Sequence, residues 1–487
     1  MVFSSPRFFV FLAFTLFLLS WPTISSRSQK LTLAFCSCLF YAAWDWRYLG
    51  LLLSISVIDY LVARRIYNST ESGARTAWLW VSICSNLGIL AYFKYLNFFI
   101  ENLNNLGLTE FSVRAILLPA GISFYTFKTL SYTIDVYRRE LEPCDSILDY
   151  TTFVTFFPEL IAGPIVRASI FIPQMGRRIG PTRTRLAEGA SIFLLGLTKK
   201  LFIADRMATI ADPIFLRPEI FTSGTVWVGV LAYTIQIYCD FSGYSDMAIG
   251  SARMIGYDLP QNFNMPYLSL SITEFWRRWH ITLSSWLRDY LYIPLGGNRH
   301  GTFRTYINLM LTMLLGGLWH GASWNFVLWG GMHGVALAVH KLLMGLPAFQ
   351  KIPRLLAWLG TLLFVIFTWV PFRSVSWDTT LTIFEKMLGL SVIPDQGAAN
   401  WIPLWFWLGL ALTVVGHGLG TGLQREAHWL VQTLKGLGAK IDKNAIAGSY
   451  AVMEDLPIAG AFVVSLWVLI LYFFSPTDTS PFIYFQF

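Results

Sequence analysis

The sequence predicts an all-α polytopic membrane protein of about eleven transmembrane helices, with re-entrant and interfacial helices beside them. Three observations carry this. The 487 residues are 55% hydrophobic, 16% aromatic and only 13% charged, where a soluble domain is about 25% charged. Apolar runs recur along the whole length. Basic residues sit in short loops between those runs, and the net charge is +8. That is the positive-inside pattern of an inner or plasma membrane protein, and it points to no nucleic acid partner.

The expected spans are Phe8–Trp21, Leu31–Ala43, Tyr48–Ala63, Ala77–Ile100, Ile116–Val136, Leu186–Ile203, Val226–Tyr238, Phe303–Leu318, Trp324–His340, Leu355–Val370, Ile402–Val415 and Ile458–Phe474. Several are shorter than the roughly 20 residues that cross a bilayer, so not every run need cross. Phe8–Leu19 lacks a small-residue cleavage site after it and reads as a retained first span, not a signal peptide. Arg64/Arg65/Arg75, Arg138/Arg139, Arg177/Arg178/Arg183/Arg185 and Lys341/Lys351/Arg354 face the cytoplasm in this topology. No internal repeat divides the chain, which reads as one domain over residues 1–487 with a cytoplasmic loop at 420–457 and an aromatic tail at 475–487.

Tyr150–Val166 breaks the alternation, because basic loops flank it on both sides. With Pro158, Gly163 and Pro164 it reads either as a re-entrant hairpin lining a cavity or as a kinked helix. GHGLGTG (Gly416–Gly422) imitates a phosphate-binding loop, but no strand precedes it. Five cysteines without paired spacing imply buried thiols and no disulfide framework.

Chemistry concentrates in ITEFWRRWHITLSSWLRDYLYIPLGGN (Ile272–Asn298) and LLGGLWHGASWNFVLWGGMHG (Leu314–Gly334). Ser271 and Glu274 have capping-box spacing, and Pro294 with Gly296-Gly297 closes the segment, so one amphipathic helix is expected over Ile272–Ile293. Its apolar stripe includes Trp276 and Trp279, and His280 points with it. Arg277 and Arg278 occupy another face, either as solvated interface charge or as contacts for donor phosphates. His280 reads as a core histidine or as a functional one. His320 follows an apolar helix among Gly316, Gly317, Gly321 and Ala322, where small residues admit a substrate or another backbone, and Ser323 can cap the next helix. Imidazole exchanges protons near neutral pH.

Other catalytic systems are weak. Asp240-Phe241-Ser242-Gly243-Tyr244 lacks the glycine and the sheet of a nucleophile elbow. Zinc on His280, His320 and His333 has no supporting motif, so no metal is expected. A histidine general base in a membrane cavity remains, and it suits transfer of an acyl group to a hydroxyl.

Five motifs, LPAGISFYTFKTLSYTIDVYR (Leu118–Arg138), FPELIAGPIVR (Phe157–Arg167), YCDFSGYSDMAIG (Tyr238–Gly250), FWRRWHITLSSWLRDYLYIPLGGNRHG (Phe275–Gly301) and LGGLWHGASWNFVLWGGMHG (Leu315–Gly334), resemble the membrane-bound O-acyltransferase superfamily, in its bacterial alginate O-acetyltransferase-like branch. The last hundred residues match less, apart from the ending PFIYFQF. The resemblance implies a helical bundle around a central tunnel. His320 corresponds to the family's catalytic histidine and His280 to its second, motif-borne histidine. The donor is then an acyl thioester on the cytoplasmic side, acetyl-CoA, with no metal. The acceptor is an exported or cell-surface polysaccharide, reached through an extracytoplasmic esterase-like partner. Asp240 and Ser242 join the motif residues as substrate-contact candidates. Tyr484 in the tail is either an acyl relay or a packing anchor. A polytopic export subunit, or an acyltransferase acting on lipid or protein, is the rival reading; the former should show inverted repeats.

Overall fold

The computed structural model describes residues 2–21, 25–161, 163–176, 180–347, 349–390 and 402–436, with Leu469, Phe473 and Phe482 beyond them. Among these every regular element is helical. Three helices, Ser72–Asn105, Trp324–Leu343 and Arg354–Arg373, are long and apolar enough to cross a membrane. Their most apolar stretches are only 17%, 28% and 39% buried. Side chains such as Phe14, Phe17, Trp80, Leu315, Val335 and Leu355 lie exposed on helices. Apolar surface this extensive belongs against lipid, because water would penalise it.

Many expected spans fail that apolar criterion for a physical reason. A helix surrounded by protein need not be apolar. Ile122–Tyr137 is buried on nearly every side, and it carries Lys128, Asp135 and a row of Ser and Thr. The Leu31–Ala43 and Tyr48–Ala63 runs are the arms of a kinked helix, Ser26–Asn68, broken at Asp45 (φ −158°, ψ 111°). There the carboxylate accepts from the Arg47 N–H at 2.9 Å and restarts the second arm. The Ile402–Val415 run extends to Leu404–Gly436. GHGLGTG lies inside this helix.

By compactness the chain forms two units interleaved in sequence: Met1–Phe193, Met247–Gln261 and Ser285–Leu291; and Leu194–Asp246, Asn262–Ser284 and Tyr292–Phe487. The first is centred on aromatic packing, with Phe8, Phe11, Phe40 and Phe157 in mutual ring contact. In it Tyr150–Val166 forms two short helices, Ile147–Thr155 and Phe157–Leu160, broken at Phe156. Nine and four residues are too short to span. Both are buried in protein, as irregular backbone at membrane depth must be. Two of the sequence motifs meet here. A Cβ on Gly121, which has φ +71°, would stand 2.4 Å from the Leu160 carbonyl oxygen. Two turns on from that contact the Lys128 ammonium donates to Glu159 and to the Phe153 carbonyl.

The second unit is built round a helical hairpin, Gly301–His320 and Trp324–Leu343, joined by three residues. Glycine permits backbone contact between its arms. A Cβ on Gly317 would lie 2.2 Å from the Phe326 carbonyl oxygen, and one on Gly330 would lie 2.3 Å from that of Met313. Asn325 ties the second arm to the end of Arg354–Arg373 by donating to the Ser374 and Ser376 carbonyls at 3.0 and 3.2 Å.

Candidate active site

The expected continuous helix over Ile272–Ile293 is not formed. Ser271 does cap the start, accepting from the Glu274 N–H at 3.2 Å, while Glu274 accepts from the Leu270 N–H at 2.8 Å. The helix then stops at Arg278, Trp279 is extended, and His280 turns left-handed at φ +42°. A new helix begins at Ile281, and Arg288–Tyr292 widens into a π turn. A side chain in the left-handed region costs about 1–2 kcal/mol, so something must hold His280 there.

Asn262 does so. Its backbone carbonyl accepts from the Ile281 N–H at 2.9 Å. Its side-chain oxygen accepts from the Thr282 N–H at 3.2 Å and the Thr282 hydroxyl at 2.9 Å. The same oxygen lies 3.1 Å from His280 Nδ1. Because the Thr282 N–H can only donate, the Asn262 atom is an acceptor, and Nδ1 carries the proton. Nε2 of neutral His280 is then the lone-pair nitrogen. His280 is wholly buried, with Phe241 at 4.7 Å, Phe263 at 6.4 Å and Trp319 at 6.3 Å between ring centroids.

His320 is the last residue of its helix, followed by extended Gly321, and Ser323 caps the next helix through the Asn325 N–H at 3.2 Å. The negative end of the helix dipole attracts the positive charge that imidazole gains on taking a proton. Rings enclose it: Trp319 at 5.0 Å, Trp329 at 4.9 Å, Phe372 at 5.1 Å and Phe326 at 6.5 Å. The glycines beside it serve close packing. A Cβ on Gly321 would meet the Phe326 ring at 2.1 Å, so their room is filled by protein. One indole, Trp319, touches both His280 and His320.

Trp276 and Trp279 join the same aromatic cluster. Trp276 contacts Trp329 at 5.7 Å and donates through Nε1 to His333 Nδ1 at 3.3 Å. Trp279 packs on Trp369 at 4.9 Å and Phe263 at 5.1 Å. Asp240 and Ser242 flank Phe241, the ring that touches His280. Asp240 accepts an ion pair from buried Lys200 at 2.7 Å, which Lys200 shares with Asp205 at 2.9 Å. Ser242 is 1% exposed. Arg278 is committed to Glu274 at 2.7 Å and to the Asn264 carbonyl at 3.2 Å, while Arg277 is exposed. Tyr484 lies outside the described residues. Phe482, two positions before it, is buried and stacks on Tyr244 at 4.2 Å.

Sequence reasoning missed Asn262, Trp329 and His333 as site builders. Trp329 and His333 stand one turn apart on the helix that follows His320, a spacing visible in SWNFVLWGGMHG. Asn262 carries no such signal, since its partners lie 18 and 20 positions away in sequence. No group of His, Cys, Asp and Glu able to hold a metal is found among the described residues.

Comparison with known proteins bears on this cluster. The profile of the membrane-bound O-acyltransferase family matches residues 143–374, which contain both His280 and His320. The chain is 42% identical over 513 aligned residues to the probable alginate O-acetylase AlgI of Azotobacter vinelandii, covering 100% of both chains. This chain belongs to the membrane-bound O-acyltransferase family. Within the family it lies in the alginate O-acetylase-like branch, and it is a membrane-integral O-acyltransferase. It is also 40% identical to the peptidoglycan O-acetyltransferase of Helicobacter pylori, covering 74% of each chain. A teichoic acid D-alanyltransferase of Streptococcus thermophilus is 27% identical over 45% of this chain and 56% of its own length.

Proposed function

We propose that this O-acyltransferase of the bacterial inner membrane moves acetyl groups from a cytoplasmic thioester, acetyl-CoA, outward for O-acetylation of an exported or cell-surface polysaccharide. The observation that carries it is His320, held at a helix terminus inside a cage of rings and adjoined through Trp319 to His280. The names borne by the alginate and peptidoglycan relatives support acetyl as the group and a glycan as the acceptor.

In this reading His320 takes the proton of the attacking hydroxyl, and the cage excludes water that would otherwise hydrolyse the thioester. His280 positions the donor. Its Nε2 lone pair suits acceptance of a hydrogen bond from the donor's amide-bearing arm better than stabilisation of negative charge. The donor enters through a tunnel from the cytoplasmic face, and Ile272–Asn298 lies at that face in this reading because the Phe303–Leu318 and Trp324–His340 runs then lead out and back to the basic Lys341/Lys351/Arg354 loop. An esterase-like protein on the far side completes transfer, and Tyr484 is offered either as its acyl relay or as an anchor.

The test is mass analysis of surface glycans from cells carrying the wild-type chain or His320→Ala at matched membrane abundance. O-acetyl groups should vanish in the variant, and normal acetylation there would refute the general-base role. For sidedness, a cysteine placed at Arg299 should react with an impermeant thiol reagent only once the cytoplasm is opened.

A further inference from the structure

On the helix that follows His320, the side chains of His333 and Trp329 each bring a hydrogen-bond donor that has no acceptor among the described residues. His333 is wholly buried, and its Nδ1 faces Trp276 Nε1 at 3.3 Å. An indole nitrogen only donates, so Nδ1 accepts, and the proton of neutral His333 stands on Nε2. That Nε2–H has no hydrogen-bond partner. One turn earlier on the same helix, the Nε1–H of Trp329 has none either, and Trp329 is 1% exposed. Residues four apart share a helix face, and here the two rings lie 4.8 Å apart. On its other flank Trp329 touches the His320 ring at 4.9 Å.

Buried donors are rarely left unmatched, because each has given up its hydrogen bond to water. The rings around this pair, including Phe275, Phe364 and Trp369, offer carbon faces. An orphaned N–H beside the candidate base and a second next to it on the same helix face therefore describe a place for an oxygen that the ligand brings. Both belong to neutral groups, so they donate hydrogen bonds without giving up protons.

We propose that His333 Nε2–H and Trp329 Nε1–H receive the carbonyl oxygen of the acyl group during its transfer. The inference rests on the acyl-transfer reading above. In the step, the hydroxyl oxygen bonds to the acyl carbon while its proton passes to His320. The carbonyl electron pair moves onto oxygen, where the two N–H groups hold it. That pair returns as the carbon–sulfur bond breaks, and the departing thiolate takes the proton from His320. Donors already aligned in a water-free site stabilise the charge without reorganising. His280, whose tautomer leaves a lone pair at Nε2, has the opposite polarity and does not fit this task.

The experiment measures the initial rate of O-acetyl appearance on surface glycan after induction, at matched membrane abundance. His333→Phe keeps a ring of similar size and removes both nitrogens, so a fall of about 10²- to 10³-fold is expected. His333→Gln puts an amide N–H near the place of Nε2 and should recover about tenfold of that loss. A packing role predicts the reverse order, since Phe fills the cage and Gln does not. Trp329→Phe should also slow transfer, and the double variant should fall little below His333→Phe, because both donors serve one oxygen. A rate for His333→Phe within about threefold of wild type, with His320→Ala inactive, would overturn the donor assignment and leave acyl transfer at His320 standing. Normal acetylation in His320→Ala would instead overturn the acyl-transfer reading, and this inference with it.

Discussion

Two buried polar sites, one in each unit, are built in different ways. In the first, Lys128 is sheathed by Phe153 and Phe171 and neutralised by Glu159, so each charge finds its complement inside the chain. In the second, the cage around His320 holds imidazole and indole groups that bear no formal charge when neutral, surrounded by ring faces. A matched ion pair leaves no net charge for a ligand, and removing one half strands the other. A neutral histidine in a cage offers one nitrogen as donor and the other as acceptor without a formal charge. The first arrangement maintains the fold; the second is suited to chemistry.

That contrast breaks if His320→Ala loses stability in place of activity. The expected outcome is a rate loss of about 10²- to 10⁴-fold, the usual span for a general base, with an unchanged melting temperature in detergent. Lys128→Met should show the opposite. Leaving Glu159 buried alone costs about 3–5 kcal/mol, whereas Lys128→Met with Glu159→Leu should regain most of it, because an apolar pair of similar volume packs without a stranded charge. A double variant no more stable than the single would show that the pair does more than match charge.

Asn262→Ala sharpens the comparison within the second unit. It removes the oxygen shared by Thr282 and His280, for about 1–3 kcal/mol, and frees the ring to turn. His280→Asn should cost less stability, since asparagine tolerates the left-handed backbone, but more activity, since it removes the imidazole that positions the donor. The smallest effect concerns Asp289. Burial alone would push its carboxyl up, but hydrogen bonds from Arg288 and Arg167 hold it below the ordinary carboxylate range. A depressed folded value stabilises the protein above the unfolded pKa and is lost as pH falls through the folded one. The melting temperature of Asp289→Asn should therefore lie slightly below wild type at neutral pH and converge with it in acid below about pH 4.

His320, His280 and the two tryptophans of the interfacial segment were legible because both motifs are local in sequence. The capping box at Ser271 was legible for the same reason. The break at His280 was not. Apolar residues recur every three or four positions on both sides of it, so periodicity runs through the interruption. Its cause, Asn262, arrives from a separate loop. Lys128 was visible as a charge inside an apolar run, but nothing in the sequence names Glu159 as its partner 31 residues later. Asp240 and Ser242 drew notice through a resemblance to a nucleophile turn, and the ion pair with Lys200 gives Asp240 a structural occupation.

The glycine contact between Gly301–His320 and Trp324–Leu343 has a further consequence. With the Cα of Gly330 already at 3.1 Å from where a Gly317 side chain would begin, the two helices meet at a single backbone-to-backbone seat. A slide that brings Leu318 to the place of Gly317, or Trp329 to that of Gly330, would drive a side chain into a main-chain carbonyl. The seat therefore acts as an index mark: it fixes how far round the helix His320 faces and at what height Trp329 meets it. Precision at the cage is set by two hydrogen atoms where every other residue has a carbon.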